Sequence, residues 1–529
     1  MTTPHTKVRT AHEALSSIPD KAVVAVGGSG SLLQVPETLL SVLEQTFRDS
    51  GKPTGLTVMH SMGLGDYSGA GLDHLAHDGL VECFVGSHFV LSPRQIEMIE
   101  QNRVQAVALP AGSISLLYRE IASGRPGLTT DIGLGTFVDP RHGGGRLNSS
   151  TTKELSSIVS LSGNEWIHYP SFPISVALLR GSVADTDGNI TMTDEAGFSD
   201  NLAIAQAVRN SGGVVIVEVR EVVEPGTLPG ALVKIPGNLV DVVVLSSSPR
   251  QTPLLEMDVT RTGMVPGAAT EVIDMPQNHR LVVARRAAKE VTPGQLVNLG
   301  VGMPNGISAV WAREVAEPLP NFTIEQGHYG GVPGLGLNSG TVMFPTAVID
   351  MPSQFDFYNG GGLDVAVLGF AQADKHGNVS VSRVNGSPIG PGGFIDISQK
   401  AQRVVFCGSL TGGGLETELD GGSLRIVREG RYSKFVDNLE EVSFNAERAL
   451  AQGQRVTFIT ERAVFELTDQ GLRLEEVAPG IDVETQVLAF LPRDFPVSPT
   501  LSLMDSQLFD PRDSVVSAQS TSEMARKEL

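Results

Sequence analysis

Apolar positions in this chain gather in short continuous runs separated by turns rich in glycine and proline. Val23-Val24-Ala25-Val26 is one such run, and Gly27-Gly28-Ser29-Gly30 follows it at once. The pattern predicts a strand, a glycine turn and then a helix over residues 36–48. Residues 214–219 and 240–245 are further apolar runs of strand length. Continuous runs, unlike alternating ones, predict strands buried on both faces, as in a parallel α/β sheet.

The chain also repeats itself weakly. Val183-Ala184-Asp185-Thr186-Asp187-Gly188-Asn189-Ile190-Thr191 resembles Ala371-Gln372-Ala373-Asp374-Lys375-His376-Gly377-Asn378-Val379-Ser380, and an apolar strand pattern follows each about 25 residues on. Upstream, Val24-Ala25-Val26-Gly27-Gly28 resembles Val297-Asn298-Leu299-Gly300-Val301-Gly302. The interval from Gly27 to Gly188 is 161 residues and that from Gly300 to Gly377 is 77, so the first copy carries an insertion of about 84. Two related α/β domains are expected, 1–256 and 280–510, joined by a Thr-, Gly- and Pro-rich linker over 257–279. A polar tail occupies 511–529. The Asp-x-x-Gly-Asn sequence at both repeats reads as turn chemistry, with glycine supplying positive φ, and not as catalysis.

Composition narrows the partners. In 529 residues, 41% are apolar and 19% charged, which suits a well-buried globular protein. The net charge of −20 argues against nucleic acid or an anionic membrane as partner, but not against an anionic small substrate. No apolar run approaches the length of a membrane span, and the N-terminus has no signal-peptide core. Two cysteines, Cys83 and Cys407, fit a reducing cytoplasm and sit in strand-like segments as small hydrophobes.

Glu325 carries the strongest chemical signal. It ends the apolar segment Thr323-Ile324-Glu325-Gln326-Gly327, and Gly330-Gly331-Val332-Pro333-Gly334 follows. A carboxylate at a strand end beside bare backbone is a candidate covalent nucleophile; the alternative is a solvated surface group. His328, three residues on, either touches substrate or fills the turn. Gly27-Gly28-Ser29-Gly30 lacks the third glycine of a dinucleotide fingerprint, so an anion-binding nest or the plain start of a helix is favoured. His74-x-x-His77 has no third metal ligand nearby in sequence and reads as a solvated helix face. No metal site is expected.

Several blocks together resemble the family I coenzyme A transferases, in particular the single-chain acetate/propionate and acyl-CoA:acetate/3-ketoacid type. They are Gly86-Ser87-His88-Phe89; Gly133-Leu134-Gly135-Thr136-Phe137-Val138-Asp139-Pro140-Arg141; Asn298-Leu299-Gly300-Val301-Gly302-Met303-Pro304; Gln354-Phe355-Asp356-Phe357-Tyr358; Gly390-Pro391-Gly392-Gly393-Phe394; and Thr460-Glu461-Arg462-Ala463-Val464-Phe465. The resemblance covers nearly everything from Val23 to Phe509.

It implies two homologous open α/β domains of the NagB/RpiA type fused in one chain. It places Glu325 at the family's catalytic glutamate and implies ping-pong transfer of CoA through a glutamyl-CoA thioester. CoA is then a substrate and no cofactor is needed. The implied partners are acyl-CoA and short-chain carboxylic acids, and the implied assembly is a homodimer or homotetramer. Gly392 and Gly393 match the family's second glycine loop, and Gly27, Gly28 and Gly30 the first. These five either donate backbone N–H groups to an oxyanion or simply permit tight packing. Gly330 and Gly331 belong to the wall beside the nucleophile. Family members often carry Pro-Gln-Gly where this chain has Pro110-Ala111-Gly112. Ala111 cannot hydrogen-bond the acyl group as glutamine would, so a roomier, less polar pocket is expected there. Two further readings stay open, an acyl-CoA hydrolase using the same glutamate and a non-catalytic acyl-CoA binding protein.

Overall fold

The computed structural model describes residues 6–268, 275–315, 319–384 and 386–511. Part of the expected linker (269–274) and most of the expected tail (512–529) lie outside the described residues.

The main path of the first half's large sheet runs through β1 (Val8–Arg9), β2 (Val23–Val26), β3 (Leu56–His60), β4 (Val81–Gly86), β5 (Gln105–Ala108), β6 (Val176–Asp185), β7 (Val214–Val223) and β8 (Val242–Leu245). They hydrogen-bond in the order β1-β8-β7-β6-β2-β3-β4-β5, and every pair is parallel. The second half contributes β9 (Leu296–Leu299), β10 (Asn321–Ile324), β11 (His328–Tyr329), β12 (Ala347–Val348), β13 (Val365–Gly369), β14 (Arg403–Cys407), β15 (Arg455–Ile459), β16 (Ala463–Thr468), β17 (Gly471–Val477) and β18 (Val497–Leu503). Their order is β12-β11-β10-β9-β13-β14-β15-β16-β17-β18.

Within these sheets the repeat is explicit. The parallel set β3-β2-β6-β7-β8 in the first half matches β10-β9-β13-β14-β15 in the second, strand for strand. In each, the chain builds outward from its first strand (β2 or β9) through three further strands, then returns to that strand's other side with β6 or β13. That reversal opens a crevice at the carboxyl ends of the strands, where ligands of open α/β sheets bind. The continuous apolar runs are buried as expected, with Val24, Ala25, Val215, Ile216, Val217, Val404 and Val405 all fully enclosed. Cys83 and Cys407 are buried and unpaired.

The two Asp-x-x-Gly-Asn turns are also alike. Asp185 accepts Asn189 N–H at 2.9 Å and Asn189 Nδ2 at 2.8 Å, while Asp374 accepts the corresponding two groups of Asn378 at 2.9 Å each. Gly188 and Gly377 both take positive φ, as that turn requires.

Helix α1 (Glu37–Ser50) follows the first glycine loop. Residues Gly71–Leu75 form a 3-10 turn against it, and not the solvated helix face expected around His74 and His77. His74 Nε2 meets Glu37 at 2.7 Å, its Nδ1 meets Glu44 at 2.5 Å, and His77 meets Glu44 at 2.8 Å. Burial lowers the His74 pKa, but the two carboxylates outweigh it and hold the value above the ordinary one. These histidines are ion-pair partners of α1.

The two halves share packing and hydrogen bonds at the crevice. Helix α2 (Ala111–Ala122) comes from the first half, and its cap residue Pro110 offers no side-chain hydrogen bond. The second half supplies the missing acceptors. Ala111 N–H donates to the Gly392 carbonyl at 3.0 Å, and Gly112 N–H donates to Asp396 Oδ2 at 3.0 Å. Two of the orphan N–H groups at the helix start are thus satisfied from the other half, and a carboxylate sits at the positive end of the helix dipole. Gln399 accepts Gly133 N–H at 2.7 Å and donates to the Asp131 carbonyl at 2.7 Å, tying the Gly133 segment to the second half as well.

Gly112 is required at this seam. A Cβ there would collide with Asp396 Oδ1 and lie 2.7 Å from Phe355 Cδ1. Gly112→Ala is expected to cost about 1–3 kcal/mol, lowering the thermal midpoint by roughly 2 °C or more. A variant as stable as the wild type in a thermal melt would contradict this close packing.

Candidate active site

Glu325 is the first residue past the carboxyl end of β10, next to the crevice beside β9. The turn that follows is tight because Ile324 and His328 pair as neighbours in β10 and β11. Gly327 has positive φ, and its own Cβ would collide with the Ile349 carbonyl, so the chain can reverse here only with glycine. The Glu325 side chain is left partly accessible while Ile324, Gln326 and His328 around it are buried.

Its surroundings are polar on one side and bare backbone on the other. Gln326 Nε2 donates to Glu325 Oε1 at 3.2 Å. Asn298, buried in β9, also lies against the carboxylate, and donates to the Tyr358 hydroxyl at 3.3 Å and the Thr323 carbonyl at 3.4 Å. Tyr358 in turn meets Thr323 Oγ1 at 2.7 Å, fixing the ring that holds Asn298. Opposite, Gly393 approaches so closely that a Cβ on it would lie 3.6 Å from Glu325 Cγ. Desolvation raises the Glu325 pKa above the ordinary glutamate value, and hydrogen bonds from Gln326 and Asn298 pull the other way. The carboxylate is therefore less solvated than a surface group, and two side-chain amides partly offset the cost of its ionised form.

The other expected site residues divide into two groups. Gly393, Gly392 and Ala111 converge on Glu325's surroundings. Gly392 N–H is engaged by the Ser87 carbonyl at 2.8 Å, so it holds the loop and is not open to a ligand in this geometry. Ala111 is fully buried beside it. Gly30 meets the second half, where a Cβ would lie 3.0 Å from the Ser339 carbonyl. Gly27 and Gly28 are packing glycines. A Cβ on Gly27 would lie 2.8 Å from Leu179 Cδ2, and one on Gly28 2.9 Å from Val35 Cγ2. The Gly27 and Ser29 N–H groups donate to Leu178 and Leu33 carbonyls, so the nest reading loses two of its donors. Gly330 and Gly331 serve the hairpin crossing, both with positive φ, against Thr346 and Met343.

His328 is fully enclosed, with neither ring nitrogen hydrogen-bonded to protein, and burial pushes its pKa down to about 4. It packs against Gly197 as a neutral ring. Asn298 and Asp396 were not singled out from sequence. Each had a signal: a lone polar side chain inside an apolar run, Leu296-Val297-Asn298-Leu299 and Phe394-Ile395-Asp396-Ile397. Such a residue is expected to have a buried partner.

Comparison with known proteins agrees with this geometry. The family model for coenzyme A transferase matches residues 8–246. The chain is 41% identical over 505 residues to acetate CoA-transferase YdiF of Escherichia coli K12, covering 95% of each. It is 39% identical over 511 residues to caffeate CoA-transferase of Acetobacterium woodii, covering 95% of this chain and 97% of that one. The crystal structure of the acyl-CoA transferase YdiF apoenzyme from E. coli O157:H7 superposes with a TM-score of 0.90 at 40% identity, covering 96% of both chains. A thioester complex of that enzyme with CoA matches with a TM-score of 0.89. Fold, repeat, crevice and sequence lead to one conclusion: this chain belongs to the coenzyme A transferases.

Proposed function

We propose that the protein moves CoA from an acyl-CoA to a short-chain carboxylic or 3-keto acid through a covalent intermediate on Glu325. One observation carries this reading: a single partly accessible carboxylate, held by Asn298 and Gln326, faces the bare backbone of Gly393 at the carboxyl end of a parallel strand. The thioester captured in the 40%-identical relative supports it. We read 1–256 and 280–510 as the two homologous domains, with Glu325 in the second. A cytoplasmic homodimer or homotetramer is part of the same reading, and no helix among the described residues is long and apolar enough to cross a membrane.

The steps balance as follows. The Glu325 carboxylate adds to the acyl-CoA carbonyl, and CoA thiolate leaves, giving an acyl-glutamyl anhydride. The thiolate then adds to the glutamyl carbonyl and expels the first carboxylic acid as its carboxylate, leaving glutamyl-CoA. The acceptor carboxylate repeats both steps in reverse and departs as the new acyl-CoA, freeing Glu325. Each addition puts negative charge on an oxygen, which needs donors already in place. Gly393 brings bare backbone nearest to the Glu325 side chain, while Gly392 positions the loop. Water must be excluded from anhydride and thioester, which the enclosure around Glu325 favours.

Transfer and hydrolysis differ in one measurable way. With acetyl-CoA as donor, CoA transfer is expected to require propionate and yield propionyl-CoA, with little free CoA when the acceptor is omitted. Glu325→Ala should lose activity by at least on the order of 1000-fold. Acceptor-independent CoA release would instead establish the hydrolase reading.

Ala111 sets the size of the acyl pocket in this account. Ala111→Gln should raise kcat/KM for acetate relative to longer acids by about tenfold, on the scale that one or two extra methylenes are discriminated in a pocket. An unchanged ratio would remove Ala111 from acyl selection.

A further inference from the structure

We infer that the segment joining the two halves takes part in the active site: Arg261 holds a small hairpin against Gln326, and so fixes the amide that grips the Glu325 carboxylate. This rests on the reading of Glu325 as nucleophile.

The hairpin pairs Val332–Pro333 with Val342–Met343 and belongs to neither large sheet. Two residue pairs, one of them containing a proline with no N–H, make a ladder too short to stand alone in water. Its position must be set from outside, and the segment leading out of the first half does so. Thr252 Oγ1 donates to Asn338 Oδ1 at 2.8 Å, and Phe344 N–H donates to the Thr260 carbonyl at 2.7 Å. Arg261 Nη1 donates to Thr341 Oγ1 at 2.6 Å. Of the three bonds only the last has a charged donor, and such bonds are the stronger kind. It is also the most enclosed, with Arg261 8% exposed and Thr341 0%. Asp258 accepts Arg261 Nε at 2.9 Å. Burial raises the Asp258 pKa, but hydrogen bonds from Thr260 and the Arg261 charge outweigh it and hold the value below the ordinary one. The guanidinium is thus pinned by a carboxylate three residues away and reaches a hydroxyl 80 residues further on.

On its inner side the hairpin meets the residue that holds the nucleophile. Gly340, just before Thr341, has a φ of +93°. A Cβ on it would lie 2.9 Å from Leu33 Cδ1 and 3.4 Å from both Cδ and Nε2 of Gln326. Gln326 Nε2 donates to Glu325 Oε1 at 3.2 Å, while its Oε1 is buried and has no hydrogen-bond partner among the described residues. An amide with so few bonds of its own depends for its orientation on what packs against it, and the Gly340 backbone is part of that packing. The contacts therefore run without a gap from Arg261 to Thr341, from Gly340 to Gln326, and from Gln326 to Glu325. Burial raises the Glu325 pKa, and the Gln326 and Asn298 bonds pull it down. If the hairpin tip shifts and the Gln326 amide turns away, one of those two opposing bonds is lost. Arg261 touches no reacting atom in this account. It is a positioning residue, and it makes the connection between the halves more than a tether.

The test measures CoA transfer from acetyl-CoA to propionate in Arg261→Met, Gln326→Met and the double variant, with Thr341→Val and Thr341→Ser alongside. Arg261→Met is expected to lower kcat about tenfold while KM for either substrate changes less than about twofold, as a displaced catalytic group requires. The acid limb of its kcat profile should move to higher pH, because Glu325 loses a donor to its ionised form. Thr341→Val should act in the same way, and Thr341→Ser, which keeps the hydroxyl, should recover most of the loss. Since Arg261 acts through one amide, the double variant should match Gln326→Met within about twofold. Thr341→Val takes the place of Arg261→Met in that comparison if the latter fails to fold. Losses that multiply in the double variant would overturn the proposal, as would a lower thermal midpoint with kcat and pH profile unmoved. Either result leaves the Glu325 reading intact where the wild type forms its CoA adduct, whereas a wild type that forms none overturns both.

Discussion

The site depends on two peptide N–H groups at the start of one helix. Ala111 and Gly112 begin α2 in the first half, and their acceptors, Gly392 and Asp396, lie in the second. An uncapped helix start buried at a crevice would leave its donors without partners, so the halves can close only in one register. That register brings the Gly392–Gly393 loop over Glu325 and sets Ala111 beside it. Asp396 is itself fully buried, and burial raises its pKa to about 7 against the pull of Gly112 N–H. The same bond that closes the crevice therefore buries a second carboxyl at the seam between the halves.

Around Glu325 the competing electrostatic effects are balanced in a useful way. Full solvation would leave a weak nucleophile, and full desolvation without donors would leave a neutral acid. Asn298 and Gln326 stabilise the ionised form from one side, and the glycine backbone leaves room on the other for an acyl-CoA carbonyl. Asn298 is held by Tyr358 and Thr323, so its amide does not have to reorganise when charge develops.

Much of the fold was legible because it is encoded locally. The apolar run ending at Gly27 predicted β2, the segment after Pro36 predicted α1, and the paired Asp-x-x-Gly-Asn sequences predicted identical turns and hence the repeat. Glu325 was legible for the same reason, as a carboxylate between a strand and a glycine run. Illegible were the contacts between distant segments. Gly112 and Asp396 are 284 residues apart in sequence, and nothing in either segment names the other. Gly27 and Gly28 could be read as ligand-facing or as packing backbone, because a glycine needed for packing and one needed for binding read alike; Leu179, Asn201 and Val35 crowd them. His74 and His77 looked solvated because their partners, Glu37 and Glu44, come from an earlier helix.

The central claim is that CoA becomes covalently attached to Glu325. The most direct measurement is the intact mass of the purified protein mixed with acetyl-CoA and no acceptor acid, with Glu325→Ala alongside. The account predicts a mass gain equal to one CoA less water on the wild type and none on the variant. No gain on the wild type, or an equal gain on both, would contradict it.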